Sequence, residues 1–159
     1  MASEIRPKDL PPVTTPTAGD TITLDGATTR SITYENLAGS GALRSNQHSI
    51  GYTAGAGGTV TQATNKSTGV TLNKPSGQIT MNNAALAAGT IVSFVLTSSF
   101  IGATDVLVLN HISGGTPGSY SLNARAASGS ATIDVRNNTA GSLGEAIVIQ
   151  YAVVRSSNT

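Results

Sequence analysis

The chain contains no cysteine and no tryptophan, and only 4% of its 159 residues are aromatic. Without cysteine there is no disulfide, no thiolate metal site and no cysteine nucleophile. Charged residues make up 11% and the net charge is +1, less than half the usual charged share of about 25%. That leaves no basic excess for a nucleic-acid binder, whose phosphate contacts need clustered Lys and Arg. No apolar run approaches the about 18 residues of a membrane-spanning helix. A disordered tail would carry a higher net charge and fewer β-branched residues. The first ten residues carry Glu4 and Asp9 and no apolar stretch, so they do not read as a signal peptide, and synthesis in the cytoplasm is expected.

What is present is Gly, Ser, Thr, Ala and Val, in short alternating runs. The composition points to an all-β protein that buries surface against other copies or another protein. Two regions differ in character, 1–49 and 50–159. The first opens with Pro7, Pro11, Pro12 and Pro16, which exclude helix and favour extended backbone. Thr21–Leu24 then alternates and stops at Asp25-Gly26, a tight-turn signal. A small hairpin of Asp20–Leu24 with Thr28–Thr33 is expected, and a short helical turn within Tyr34–Arg44. This region has too few apolar residues for a core of its own and reads as an extended arm.

The region 50–159 reads as short strands separated by Gly, Asn, Ser and Pro. Strands are expected at Thr59–Ala63, Gly69–Asn73, Gln78–Met81, Ile91–Thr97, Asp105–His111, Ser119–Ala126, Ala131–Arg136 and Glu145–Arg155. Asn82–Ala88 reads as a connection with one helical turn. In Ile91–Thr97, Val92, Phe94 and Leu96 fall on one face. Asp105–His111 contains the continuous apolar run Val106-Leu107-Val108-Leu109 and reads as a strand buried on both faces. Glu145–Arg155 is apolar on both faces apart from Gln150. It therefore sits centrally or meets another subunit. Spacings of about 8 to 15 residues between turns suggest an antiparallel β-sandwich or jelly roll.

Chemistry-bearing constellations are scarce. Asp105, His111 and Ser113 invite a catalytic triad, but Asp105 and His111 on one straight strand are about 20 Å apart at strand rise. Both read as polar strand-end residues. His, Asp and Glu never cluster at metal-ligand spacing, and Asp20 and Asp25 read as turn residues. Gly55–Gly58 lacks the Lys-Ser/Thr of a phosphate loop and reads as a connector. Asp134 and Arg136 are expected to pair on a surface face. The sequons at Asn65 and Asn137 matter only in a secreted eukaryotic setting. Tyr120 and Tyr151 lie within apolar strand patterns and read as core or interface residues. With Tyr34 and Tyr52 as the only others, glycan binding has a thin aromatic supply. No cofactor, metal or catalytic residue is expected, and no enzyme activity.

Two stretches carry a resemblance. DLPPVTTPTAGDTITLDGATTRSITYENL, with Leu10-Pro11, Asp20, Asp25-Gly26 and Thr28–Thr33, is similar to short N-terminal segments of tailed-bacteriophage virion proteins. GYTAGAGGTVTQATNKSTGVTLNKPSGQITM, with NNAALAAGTIVSFVLTSS after it, resembles a β domain of phage and prophage structural proteins, as does GSLGEAIVIQYAVVR near the end. The resemblance implies a non-enzymatic virion component on the capsid exterior, a cement or head-fibre protein that decorates and stabilises the shell. The alternative it implies is a tail-fibre or baseplate protein with a receptor- or glycan-binding domain. On the first reading the arm anchors the chain to the major capsid protein or another virion protein by strand addition, through Leu10, Pro11, Pro12, Thr21, Ile22, Leu24, Arg30 and Ile32. The apolar strands would close a homodimer or homotrimer interface through Val106, Val108, Ile147, Ile149, Tyr151 and Val153. No nucleic-acid or membrane partner is expected.

Overall fold

Ten strands and no helix form the regular structure in this computed structural model, which describes residues 21–24, 30–33, 51–52 and 54–157. The chain divides into two units, Met1–Ile50 and Gly51–Thr159. In the first, β1 (Thr21–Leu24) and β2 (Arg30–Thr33) pair antiparallel, with Ile22 opposite Ile32 and Leu24 opposite Arg30. Leu10, Pro11, Pro12 and the expected helical turn at Tyr34–Arg44 lie outside the described residues.

The second unit holds two four-stranded sheets. One has the order β3 (Thr59–Thr61), β5 (Ser76–Thr80), β10 (Val148–Val154), β7 (Val106–Ser113). The other has the order β4 (Val70–Thr71), β6 (Ile91–Thr97), β9 (Ser130–Asn137), β8 (Tyr120–Ala127). All eight strands expected in this region are there, each displaced by no more than a few residues. The expected purely antiparallel pairing is not: β3 runs parallel to β5 and β4 parallel to β6, so both sheets are mixed. The reason is connectivity. From β3 to β8 the chain changes sheet at every step, so two crossings return it to its first sheet pointing the same way. Only β8 and β9 are sequential partners within a sheet of this unit, joined by Ser128-Gly129. Gly129 has φ +76°, the left-handed geometry that a two-residue turn of this kind needs at its second position.

The inward faces of both sheets meet in one core. Ile79, Ile149 and Tyr151 from the first sheet and Leu96, Ile133 and Val135 from the second are fully buried in it. Each such aliphatic side chain contributes about 1.5–3 kcal/mol by leaving water. The alternation that places them is plain in β6, where Phe94 and Leu96 are buried while Ser93, Val95 and Thr97 are exposed.

Two further expectations are corrected. The strand around Val106–Leu109 is not buried on both faces. It forms the edge of its sheet, with Val106 54% and Val108 55% exposed. The central position goes to β10, which is bonded on both sides, by β5 and by β7. The segment 82–88 is not a helical turn. Its Leu86 forms an antiparallel bridge with Leu143, and Asn137 fastens it from below by donating to the Leu86 and Ala87 carbonyls at 3.0 and 3.2 Å.

Candidate functional site

The most organised surface feature of the second unit lies where β7 passes into β8. The connecting sequence Gly114-Gly115-Thr116-Pro117-Gly118 is a loop by composition. Its glycines have a structural reason. Gly114, Gly115 and Gly118 have φ of +70°, +65° and +77°, open to glycine without steric cost. A Cβ on Gly115 would also stand 2.6 Å from Ile147 Cγ2 and 2.8 Å from Glu145 Oε2. The loop therefore lies flat against residues 145–147.

Glu145 clasps this loop. Its carboxylate accepts from the Thr116 amide at 3.0 Å, the Thr116 hydroxyl at 2.7 Å and the Tyr120 hydroxyl at 2.8 Å. The Thr116 hydroxyl and amide, then the Tyr120 hydroxyl, hold the carboxyl below the ordinary carboxylate value. Burial, reinforced by the hydrogen bond to Glu145, pushes the Tyr120 phenol above its ordinary value, so it stays a neutral donor. From the strand side, His111 Nε2 lies 3.0 Å from the Ser113 carbonyl and 2.6 Å from the Gly114 carbonyl. The edge of one ring meets the face of the other where His111 packs on Tyr120, with centroids 5.8 Å apart. A register shift in the β7–β10 ladder, at Val148 and Ile149, leaves Ile112 without a partner between His111 and Ser113. Such a bulge bends the strand end.

Glu145 is itself fixed from behind. The buried Lys66 donates to the carbonyl oxygens of Asn82, at 2.6 Å, and Glu145. Burial lowers the lysine's affinity for its proton, and the nearby Glu145 charge partly restores it. Gln62, also buried, donates to the Lys66 and Thr68 carbonyls and accepts from the Asn82 amide. Between the end of β7, the loop and Tyr120 opens a cleft of about 510 Å³, lined by Asn110, His111, Ile112, Ser113, Gly114, Gly115, Pro117, Gly118 and Tyr120.

Of the residues singled out by the sequence, His111, Ser113 and Tyr120 line this cleft, and the others fall elsewhere. Asp105 accepts from the Gly102 amide at 2.8 Å and pairs with Arg155 at 3.3 Å, while His111 is bound to backbone carbonyls. Asp105, His111 and Ser113 therefore form no triad. Of the expected interface residues, Ile147, Ile149, Tyr151 and Val153 are at most 3% exposed within the chain's own core, so they have no surface to offer. Val106 and Val108 remain exposed. Asp134 pairs with Arg125 on β8, at 3.1 Å, and not with Arg136 on its own strand. The β8–β9 register brings the Arg125 side chain diagonally across to it, and Ser93 donates to it at 2.6 Å. That serine's hydrogen bond is the main reason the Asp134 carboxyl titrates low. Asn137 is fully buried and hydrogen-bonded, so its sequon is closed. Glu145, Thr116 and Lys66 were missed as a group. The only signal was that a Glu heads an apolar strand in a chain with few charges, which reads as a strand end.

No family model matches this chain, and no curated protein or solved structure matches it. The fold and site define an all-β unit of two mixed sheets with a clasped loop and cleft at one end.

Proposed function

We propose that the chain is a non-enzymatic structural component of a tailed-bacteriophage particle, decorating and stabilising the capsid as a cement or head-fibre protein. The sequence resemblance of both regions to phage virion proteins supports this reading. In it, the two sheets are layers of a jelly-roll-like sandwich, and the N-terminal region anchors the chain to the capsid protein by adding the β1–β2 ribbon, with Ile22 and Ile32 at its centre, to a partner sheet.

The observation that carries the assembly part is the outward face of the β3-β5-β10-β7 sheet. It bears no charged side chain. At one end it is apolar, with Val106 opposite Val154 and Val108 opposite Ala152. Further along, Gln78, Gln150 and Asn110 form a row of neutral amides across three strands. The other sheet's outward face carries Arg125, Asp134 and Arg136. An uncharged, partly apolar face meets a copy of itself with no like-charge repulsion, which suits the self-complementary contact of a cyclic oligomer. The edge strand β7 also lacks the Lys or Pro that commonly discourages strand pairing. The occupant of this face is a second copy of the chain. Ile147, Ile149, Tyr151 and Val153 have no part in it.

The test is the oligomeric state of the full chain by light scattering. An oligomer is expected, and the exposed-site variant Val106→Asp/Val108→Asp should return it to monomer with its fold intact. A monomeric wild-type chain at micromolar concentration would overturn the assembly reading. Protein copy number in particles released by the encoding host tests the location: hundreds of copies are expected, and absence from particles removes the virion reading.

A further inference from the structure

We propose that the open edge of β8 accepts an extended segment of another protein, which joins the β4-β6-β9-β8 sheet as a further strand with apolar residues facing inward and an acidic residue opposite Arg125. β8 is the last strand of its sheet, and its register with β9 runs unbroken from Tyr120 to Ala127. It carries no bulge, and no Pro or Lys that would discourage pairing. Antiparallel pairing turns the backbone groups of alternate residues towards the partner strand. Ala127 and Ser130 flank the two-residue turn, so Ala127, Arg125, Asn123 and Ser121 exchange their bonds with β9. The amides and carbonyls of Leu122, Ala124 and Ala126 point away from the sheet, and among the described residues no backbone group bonds to them.

The side chains of the same three residues lie inward but are only half-buried, whereas Ala131, Ile133 and Val135 on the neighbouring β9 are fully buried. β7, the edge strand of the other sheet, lies beside β8, and its inward Leu107 and Leu109 are half-buried too. The core is thus unsealed along this side, at the place where the free donors and acceptors stand. A strand added there gains backbone bonds and covers apolar surface that the chain alone leaves wet.

Charge selects the occupant. The outward face beside this edge carries Arg125, whose side chain is 66% exposed, and Arg136, which forms no ion pair among the described residues. Its one carboxylate, Asp134, is already bonded to Arg125 and Ser93. Pairing β8 with β8 of a second copy about an axis through Ala124 would set the two Arg125 side chains on a diagonal of about 7–8 Å, with no free carboxylate to offset them. A strand with Glu or Asp opposite Arg125 meets this face without that repulsion. The inference is independent of the assembly reading, whose contact face belongs to the other sheet. It also differs from the β1–β2 ribbon, which donates a strand where β8 receives one.

The experiment is amide-resolved hydrogen exchange and NMR titration of the full chain with short capped peptides of the pattern Ser-X-Glu-X-Thr-X-Ser, X being Val, Ile or Leu. In the chain alone the amides of Leu122, Ala124 and Ala126 should exchange fast and those of Asn123 and Arg125 slowly. At least one peptide should shift and protect the three edge amides at millimolar concentration. N-methylation of its middle X, whose amide faces β8, should abolish binding, while N-methylation of its Glu, whose amide faces away, should spare it. Lys in place of Glu should weaken binding at least fivefold. Ala124→Pro removes an amide that β9 does not use, so the fold should persist and binding be lost. Ala124→Lys, which puts a charge on the inward side of the edge, should also abolish binding, while Val106→Asp/Val108→Asp should keep it. The proposal is overturned if no peptide protects these amides, if N-methylation of the middle X is harmless, or if a folded Ala124 variant still binds. Protection of the three amides without peptide also overturns it, because a second copy or residues 1–50 would then fill the edge.

Discussion

The Lys66 ammonium donates to the carbonyl oxygen of Glu145, 79 residues further along the chain. Through that contact a buried charge in an early loop sets the position of the carboxylate that clasps the β7–β8 loop. The bond spans the two ends of the second unit and has no counterpart in local sequence.

Removing the ammonium therefore strands two carbonyls. Lys66→Met should cost about 3 kcal/mol, because hydrogen bonds to charged groups are each worth about 1.5–3 kcal/mol and the methionine replaces only the stem. Urea unfolding of the variant checks this, through a lower midpoint at unchanged slope. A midpoint equal to wild type would show that water replaces the ammonium.

Glu145 controls the order of the loop at its own end. Glu145→Ala should speed hydrogen exchange at the Thr116 amide and leave exchange in β9 unchanged. The same clasp is pH-dependent. Its folded carboxyl titrates below the unfolded value of 4.5, so the ordering is complete above that value and is lost as the pH falls through the lower, folded one. Exchange or loop chemical shifts followed from pH 6 downward report this.

At the alkaline end the sign reverses. Burial pushes the Tyr151 phenol up to about 12 from 10.0, and Tyr120 is raised as well. The folded state holds these protons more tightly than the unfolded state. Their contribution is fully present below pH 10 and is lost as the pH rises towards 12. Tyr151→Phe removes the hydroxyl that donates to the Leu72 and Lys74 carbonyls at 3.3 and 3.0 Å. It should cost about 1 kcal/mol near neutrality and flatten part of the alkaline fall, as read by thermal melts across pH 7–12.

Asn137 is the buried polar plug of the second sheet. Its amide nitrogen donates to the carbonyls of Leu86, Ala87 and Gly141, and its oxygen accepts from the Thr139 amide and hydroxyl. Asn137→Ala should destabilise by about 2–3 kcal/mol, since several buried groups lose their partner at once. Calorimetry checks it, and a change below about 0.5 kcal/mol would mean that the 86–87 segment is held by its bridge to Leu143 alone.

Much of the strand layout was legible in sequence because it depends on nearest neighbours. Val92, Phe94 and Leu96 alternate with polar or exposed residues, and period two is enough to place β6. The antiparallel pairing of β1 with β2 was legible for the same reason, while Asp25-Gly26, the expected turn, lies outside the described residues. Asp134 shows where this stops. Its nearest basic residue on the same face, Arg136, is two positions away, yet the bond goes to Arg125 on the adjacent strand. The candidate cleft was legible only as a glycine-rich loop, since its clasp comes from a residue 29 positions beyond Thr116.

By itself the sequence determined an all-β chain without disulfides, the approximate positions of its strands and the two-residue alternation within strands such as β6. Backbone pleating and turn chemistry are local, so they can be read locally. Tertiary structure alone decided which of two equally apolar strands became interior. Glu145–Arg155 and Asp105–His111 look alike as text, but β10 is bonded on both sides while β7 lies at an edge, leaving Val106 and Val108 in solvent. Which neighbours a strand acquires depends on contacts between distant residues, and burial follows from those neighbours.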